Sequence, residues 1–335
     1  MKILITGAAG FIGHKMVKVL SGEGAEIVGL DSINDYYSVD LKYSRLSDTG
    51  IAREEIADGT LVQSHTLPGY RFVRMDLTDR EGIDRLFRTE KFTHVLNLAG
   101  QAGVRYSIEN PYSYVQSNVV GFLNILEACR HYGLPRLVYA SSSSVYGMDP
   151  HVPFKETDRT DSPVSLYAAT KKSEEAMAYS YSKLYRLQTV GLRFFTVYGP
   201  WGRPDMAPYK FMKAIANDEE IQVFNHGNML RDFTYIDDIA EGIRLVLHSD
   251  CKDEIPYRIY NIGNSAPVRL LDFIRAIEDV TGHKAKMKML DMQPGDVVRT
   301  YADTSLLQHD FGYKPSTTIA EGIRNLYLWY KAYSG

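Results

Sequence analysis

A tyrosine and a lysine one helical turn apart, in Tyr167-Ala-Ala-Thr-Lys171, are the residues whose types and spacing best suit proton transfer. On a helix the two side chains share a face. An ammonium close to a phenol favours the phenolate, so such a tyrosine exchanges protons near neutral pH. Read alone, the pair also fits an ordinary solvated helix face. Upstream stands Ser142, just after the strand-like run Pro135-Arg-Leu-Val-Tyr-Ala140. A hydroxyl there hydrogen-bonds the same substrate oxygen that the tyrosine deprotonates.

The elements that must position this group begin at the N-terminus. Lys2-Ile-Leu-Ile-Thr6 reads as a buried strand, followed by Gly7-Ala-Ala-Gly10-Phe-Ile-Gly13 and a helix with apolar Met16, Val17, Val19 and Leu20. A strand, glycine turn and helix in this order bring bare backbone N–H groups and a helix N-terminus to a pyrophosphate. The G-x-x-G-x-x-G spacing is one residue longer than the common form, and without a ligand it is simply a tight turn. The next strand, Glu26–Leu30, ends in Asp31. A carboxylate there accepts hydrogen bonds from an adenosine ribose and repels a 2′-phosphate, which favours NAD over NADP. Beside a nicotinamide, Ser142, Tyr167 and Lys171 suit oxidation of a secondary alcohol by hydride transfer.

Residues 32–69 break the rhythm: they hold Tyr36-Tyr37, many charges and Pro68-Gly69, and are expected to be loop and short helix without a clear strand. Strands then follow at 70–74, 93–98 and 135–140, with helices at 80–88, 111–132 and 163–184. Repeated βα units predict an α/β fold with a doubly wound, Rossmann-type parallel sheet. Asp31, Asp76, Ala99 and Ser142 then share the carboxyl ends of the strands, where such sheets bind ligands. After a strand at 189–194 come the loop signals Pro200, Gly202, Pro204 and Pro208. Helices are expected at 206–215, 237–248, 270–280 and 319–333. A hairpin is expected from 221–225 and 230–234 around Gly227-Asn228. A strand at 258–262 returns to the first lobe. The domains are therefore interleaved: 1–195 with 235–263 for NAD, and a smaller α/β substrate domain from 196–234 with 264–335.

The 335 residues carry a net charge of −3, so no basic field exists for nucleic acid or an anionic membrane. Hydrophobic content of 44% and charged content of 24% are those of a soluble globular protein. Cys129 and Cys251 form no CxxC, which suits a reduced, cytoplasmic setting. No run is long and apolar enough for a membrane span. No P-loop, HExxH zinc site or G-x-S-x-G nucleophile occurs, and no metal is expected.

The motifs, in chain order, resemble the extended short-chain dehydrogenase/reductase family, in its nucleotide-sugar epimerase branch. They are Gly7-x-x-Gly10-x-x-Gly13, Asp31, Ser141-Ser-Ser-Ser-Val-Tyr-Gly147, Tyr167-x-x-x-Lys171, Arg193-Phe-Phe-Thr-Val-Tyr-Gly-Pro200, Arg231-Asp-Phe-Thr-Tyr-Ile-Asp-Asp238, Tyr260-Asn-Ile-Gly263 and Gln293-Pro-Gly-Asp296. Among subfamilies, the stretches 140–147, 167–172 and 191–206 look most like UDP-glucuronate 4-epimerases. The resemblance implies that Gly7, Gly10, Phe11, Ile12, Gly13, Asp31 and Asn34 hold the adenosine end of NAD. Asp76 and Leu77 would border the adenine, Leu98 and Ala99 the central strand end, and Lys171 the nicotinamide ribose. Tyr167 would be the base and Ser142 its partner. Arg231 would pair with the diphosphate of a UDP-sugar, Asp296 with the uridine ribose, and the backbone around Val223 with uracil. A homodimer built on helices 111–132 and 163–184, and service in polysaccharide biosynthesis, are also implied. One departure is Gln293, where many such epimerases have arginine; diphosphate neutralisation then leans on Arg231, helped by Arg299.

Position 144 separates reactions within the family. Dehydratases carry Asp-Glu at the equivalents of Ser143-Ser144, and UDP-glucuronate decarboxylases carry Glu at the second. With serine at both, the resemblance implies 4-epimerisation through a 4-keto sugar that turns over before hydride returns. A uronic acid oxidised at C4 is a β-keto acid prone to lose CO2. Ser142, Ser143, Ser144 and Thr196 are the donors expected to hold its carboxylate out of line with the carbonyl. The serines also fit a polar strand-to-loop turn. Galactose-type epimerases carry Asn at the equivalent of Thr196. Arg203 is either a clamp on substrate or diphosphate, or a surface arginine in a turn. The alternatives are 4-epimerisation of a neutral or N-acetylated UDP-hexose, decarboxylation, and a non-catalytic NAD-binding scaffold.

Overall fold

The computed structural model describes residues 1–249, 253–293 and 296–334; Cys251 and the Pro294-Gly295 pair lie outside them. The chain forms two compact units, Met1–Gly147 with Arg159–Arg193 and Ile243–Tyr260, and Met148–Asp158 with Phe194–Gly242 and Asn261–Gly335. Residues 148–158, 194–195, 235–242 and 261–263, which the sequence pattern assigns to the first lobe, thus cluster with the second unit.

The first unit is a doubly wound α/β sheet, as the βα rhythm predicts. Its strands are β1 (Lys2–Thr6), β2 (Glu26–Asp31), β3 (Leu61–Gln63), β4 (Tyr70–Arg74), β5 (His94–Asn97), β6 (Arg136–Ser142), β7 (Gln188–Phe194) and a last strand, Tyr257–Ile262. They lie in the order last strand, β7, β6, β5, β1, β2, β4, β3. β1 runs parallel to both β2 and β5, β2 to β4, and β5 to β6. Helices cover the sheet, so its strands are continuous apolar runs. Leu4, Val28, Val95 and Leu137 join Phe122 and Leu126 in one buried core.

Residues 32–69 hold more structure than expected: helix α2 (Val39–Asp48), a short turn at Arg53–Glu55, and β3, which pairs antiparallel with β4. A three-residue strand is too short to show alternation. The single helix expected at 111–132 is instead Pro111–Tyr114, a π-helical stretch Val115–Val120, and Gly121–His131. The wide turn carries Asn118 into the interior, and Gly121 lies so close to Leu77 that a Cβ there would be 2.7 Å from the leucine Cβ.

In the second unit the expected hairpin is absent. Glu220–Phe224 pairs in parallel with Lys286–Leu290, while Leu230–Arg231 pairs antiparallel with Val268–Arg269. His226 and Gly227, at φ 49° and 75°, turn the chain away before the two segments can meet. A period-two pattern says that a segment is a strand but not which strand it joins. Thr196–Tyr198 runs parallel to Phe233–Tyr235, and Phe233 stacks on Phe273 at 4.0 Å in the core beneath. Among the described residues no helix is long and apolar enough to cross a membrane, and no cluster of three metal-ligating side chains forms.

Candidate active site

The glycine turn after β1 is built by close approach of backbone to backbone. Gly7 sits at φ 73°, and a Cβ on it would stand 2.9 Å from the Ala99 nitrogen. At Gly13 a Cβ would lie 2.0 Å from the Gly7 oxygen. Helix α1 (Phe11–Gly22) starts at Gly10 with no side-chain cap and no acid in its first turn. No side chain therefore satisfies its first N–H groups, and the positive helix end behind them fits a pyrophosphate. Asp31, at the end of β2, accepts from the Ala9 and Ile33 N–H groups at 3.1 and 2.8 Å and keeps lone pairs for a ribose. These features fit a dinucleotide.

The other expected residues of this end divide. Asp76 accepts from the Thr78 N–H and hydroxyl, and Leu98 and Ala99 follow β5, with the Ala99 N–H donating to the Thr6 hydroxyl at 3.1 Å. Asn34 is exposed, and its side-chain oxygen receives Lys42 at 2.7 Å. Leu77 is buried core, so its side chain serves packing.

Ser165 caps the helix Leu166–Tyr185 by accepting from the Ala168 N–H at 3.1 Å. Tyr167, the second residue of the helix, is half-buried, its ring edge-on to Tyr114 at 6.0 Å, and its hydroxyl has no partner among the described residues. Lys171 is buried. Its ammonium donates to the Ala140 carbonyl at 2.9 Å and to both oxygens of Glu174 at 3.0 and 3.1 Å. Burial pushes the Glu174 carboxyl up to about 7, against the opposing pull of Lys171. The next residue, Glu175, receives Arg193 of β7 at 2.8 and 2.9 Å and the Ser141 hydroxyl at 2.6 Å. Arg193 also donates to the Tyr146 hydroxyl at 2.9 Å. This buried network ties the helix to β6 and β7.

Ser142 ends β6, and its hydroxyl accepts from the Ser144 N–H at 3.2 Å and the Ser144 hydroxyl at 2.9 Å. Ser143 is half-buried and its hydroxyl has no partner among the described residues. The first unit thus brings together Ser142, Ser143 and Ser144 in one turn, and Tyr167 with Lys171 on one helix.

In the second unit, Arg231 is braced on the carbonyls of Leu230, Val297 and Val298, and its charge interacts with Asp296. Burial lowers the Arg231 pKa from its ordinary value, with Asp296 opposing. Val223 is fully buried, which leaves only its backbone to meet a ligand. Arg203 forms a two-pronged pair with Asp205 at 3.0 and 2.5 Å. The Thr196 N–H donates to the Asp232 carbonyl at 3.1 Å. Asp232 is itself buried and accepts from the Asn264, Ser265 and Ala302 N–H groups.

Residue types alone do not single out Asn118, Glu174 and Glu175. Asn118 bonds both the N–H and C=O of Gln101, at 2.8 and 3.0 Å, and also Thr170 at 3.0 Å. Its only sequence signal is a polar residue where a helix face is otherwise apolar.

Residues 3–263 match the model of the NAD dependent epimerase/dehydratase family. The chain belongs to that family. The epimerase resemblance carried by the motifs is borne out by its relatives. Protein CapI of Staphylococcus aureus is 50% identical, with 99% of each chain covered. UDP-glucuronate 4-epimerase 4 of Arabidopsis thaliana is 44% identical over 99% of this chain and 75% of its own length. Among solved structures, the UDP-glucuronic acid 4-epimerase of Bacillus cereus, in complex with UDP-glucuronic acid and NAD, is similar with a TM-score of 0.87. That pair is 31% identical over 99% of this chain and 100% of the other.

Proposed function

We propose that this family member is a UDP-glucuronate 4-epimerase that converts its substrate to UDP-galacturonate through a 4-keto sugar. The observation that carries the reading is the hydroxyl turn after β6. Ser142, Ser143 and Ser144 present donors there, with no carboxylate for dehydration. Tyr167, whose hydroxyl has no partner among the described residues, is the base that takes the C4-hydroxyl proton and returns it. Lys171 and Ser142 orient that exchange, and Lys171 also meets the nicotinamide ribose. NAD, held by Gly7, Gly10, Phe11, Ile12, Gly13, Asp31, Asn34, Asp76, Leu98 and Ala99, supplies reversible hydride acceptance at C4. Ser142, Ser143, Ser144 and Thr196 hold the substrate carboxylate and suppress loss of CO2. Arg231 takes the diphosphate with Arg203, Asp296 the uridine ribose, and the backbone at Val223 the uracil. The first unit is the NAD-binding domain and the second the substrate domain.

A cytoplasmic homodimer serving polysaccharide biosynthesis belongs to the same reading. Exposed apolar side chains on the two long helical stretches, Tyr112 and Leu123 on one and Tyr179 and Leu184 on the other, support the dimer. Turnover of UDP-glucuronate, UDP-glucose and UDP-N-acetylglucosamine should be compared side by side. The first is expected to be preferred; an inert UDP-glucuronate beside a turned-over neutral sugar would refute the choice.

A further inference from the structure

The segment after β2 is held by buried cations. Arg45 of α2 is fully buried and donates to the Ala9 carbonyl at 3.0 Å and the Tyr37 hydroxyl at 2.7 Å. Lys42 donates to the Asn34 carbonyl at 2.6 Å and lies 4.6 Å over the Tyr37 ring. Ile33 sits at φ 52°, in the left-handed region, with its N–H fastened to Asp31. A β-branched residue there is strained and persists only where its surroundings impose it. The base of the segment is therefore pinned to the glycine turn, and its tip, Tyr36, is aimed elsewhere.

Tyr36 reaches the loop that follows β5. Its ring lies 4.6 Å from that of Tyr106, and a Cβ on Gly103 would stand 2.7 Å from its hydroxyl. Gly103 adopts φ 113°, which a side chain would oppose. The rings continue through Tyr114, 6.3 Å from Tyr106, to Tyr167, 6.0 Å further on. In the sheet, β1 lies between β2 and β5, parallel to both. A contact between the loops after β2 and β5 must therefore span the carboxyl end of β1, where the Gly7–Gly13 turn opens.

We propose that Tyr36, closed against Gly103 and Tyr106, is a clasp over the dinucleotide site that keeps NAD bound through successive turnovers. The proposal rests on the reading that the glycine turn holds NAD. Retention suits this chemistry, because an epimerase restores its cofactor within each cycle and has no need to exchange it. Arg45 and Lys42 carry the base of the clasp, and the tyrosine stack carries its closure.

The test loads the full chain with radiolabelled NAD, removes free nucleotide by rapid desalting, and follows release into excess unlabelled NAD. Wild type, Tyr36→Ala, Tyr36→Phe and Gly103→Ala are compared, with circular dichroism to verify folding. Losing the ring contact should speed release by about tenfold in Tyr36→Ala, in keeping with the strength of one aromatic pair. Tyr36→Phe, which keeps the ring, should stay near wild type, and Gly103→Ala should resemble Tyr36→Ala. Release from Tyr36→Ala at the wild-type rate would overturn the clasp and leave the NAD reading intact. A wild-type chain that binds no NAD in equilibrium dialysis would overturn both.

Discussion

The glycine turn after β1 and the seat of the Leu166–Tyr185 helix lie in one sheet and keep their shapes by opposite means. The turn works by what is missing. Side chains are excluded at Gly7 and Gly13, so backbone meets backbone and the first N–H groups of α1 stay bare. The helix seat works by what is buried: Glu174 under Lys171, Glu175 under Arg193, and Asn118 under Gln101. A site for a phosphate wants donors without partners, whereas a site for a proton wants one side chain held still. The difference predicts that the turn is sensitive to any added atom, and the seat to any lost partner.

The largest expected effect is on chemistry. Tyr167→Phe keeps the ring against Tyr114 but removes the exchanging proton, so kcat should fall by about 10²–10⁴ with the fold unchanged. Next comes the seat. Arg193→Ala strands the Glu175 carboxylate in the interior and should cost about 3–5 kcal/mol in urea unfolding, as breaking a buried pair does. At the turn, Gly13→Ala places a methyl 2.0 Å from the Gly7 oxygen. Calorimetry should show NAD affinity weakened by at least about tenfold, since the bare N–H groups must move. A Gly13→Ala protein with unaltered NAD affinity would break the comparison.

The smallest effect is a change of slope with pH. Folded Glu174 keeps its proton up to about pH 7, whereas its ordinary value is 4.5. Between those values the folded state binds more protons than the unfolded one. The contribution is fully present below pH 4.5 and is lost as pH rises through 7. Glu174→Gln lacks this slope. Its Tm relative to wild type should therefore rise between about pH 5 and about pH 8, whatever the offset from losing the pair with Lys171.

The same contrast explains what could be read in advance. Excluded side chains leave a mark in sequence, because glycines at fixed spacing after an apolar run have few other uses. The βα rhythm and the Tyr167–Lys171 pair are legible for a similar reason: a period of two or of 3.6 is local. The seat is not local. Glu174 and Glu175 look like the solvated acids of any helix until folding buries Glu174 under Lys171 and β6 and β7 bring Ser141 and Arg193 to Glu175. Asn118 points inward only because the helix widens into a π turn. The edge strand β3 is illegible because three residues are too few to show alternation, and the strand Lys286–Leu290 because its partner, Glu220–Phe224, is remote in sequence.

The central claim is that C4 of the sugar gives up its hydride and receives the same one back. UDP-glucuronate carrying deuterium at C4 should be incubated with the purified chain without added NAD, and the products resolved by mass spectrometry. The account predicts UDP-galacturonate with the deuterium still on C4. Exchange of the label with solvent, or release of CO2 as the main outcome, would contradict it.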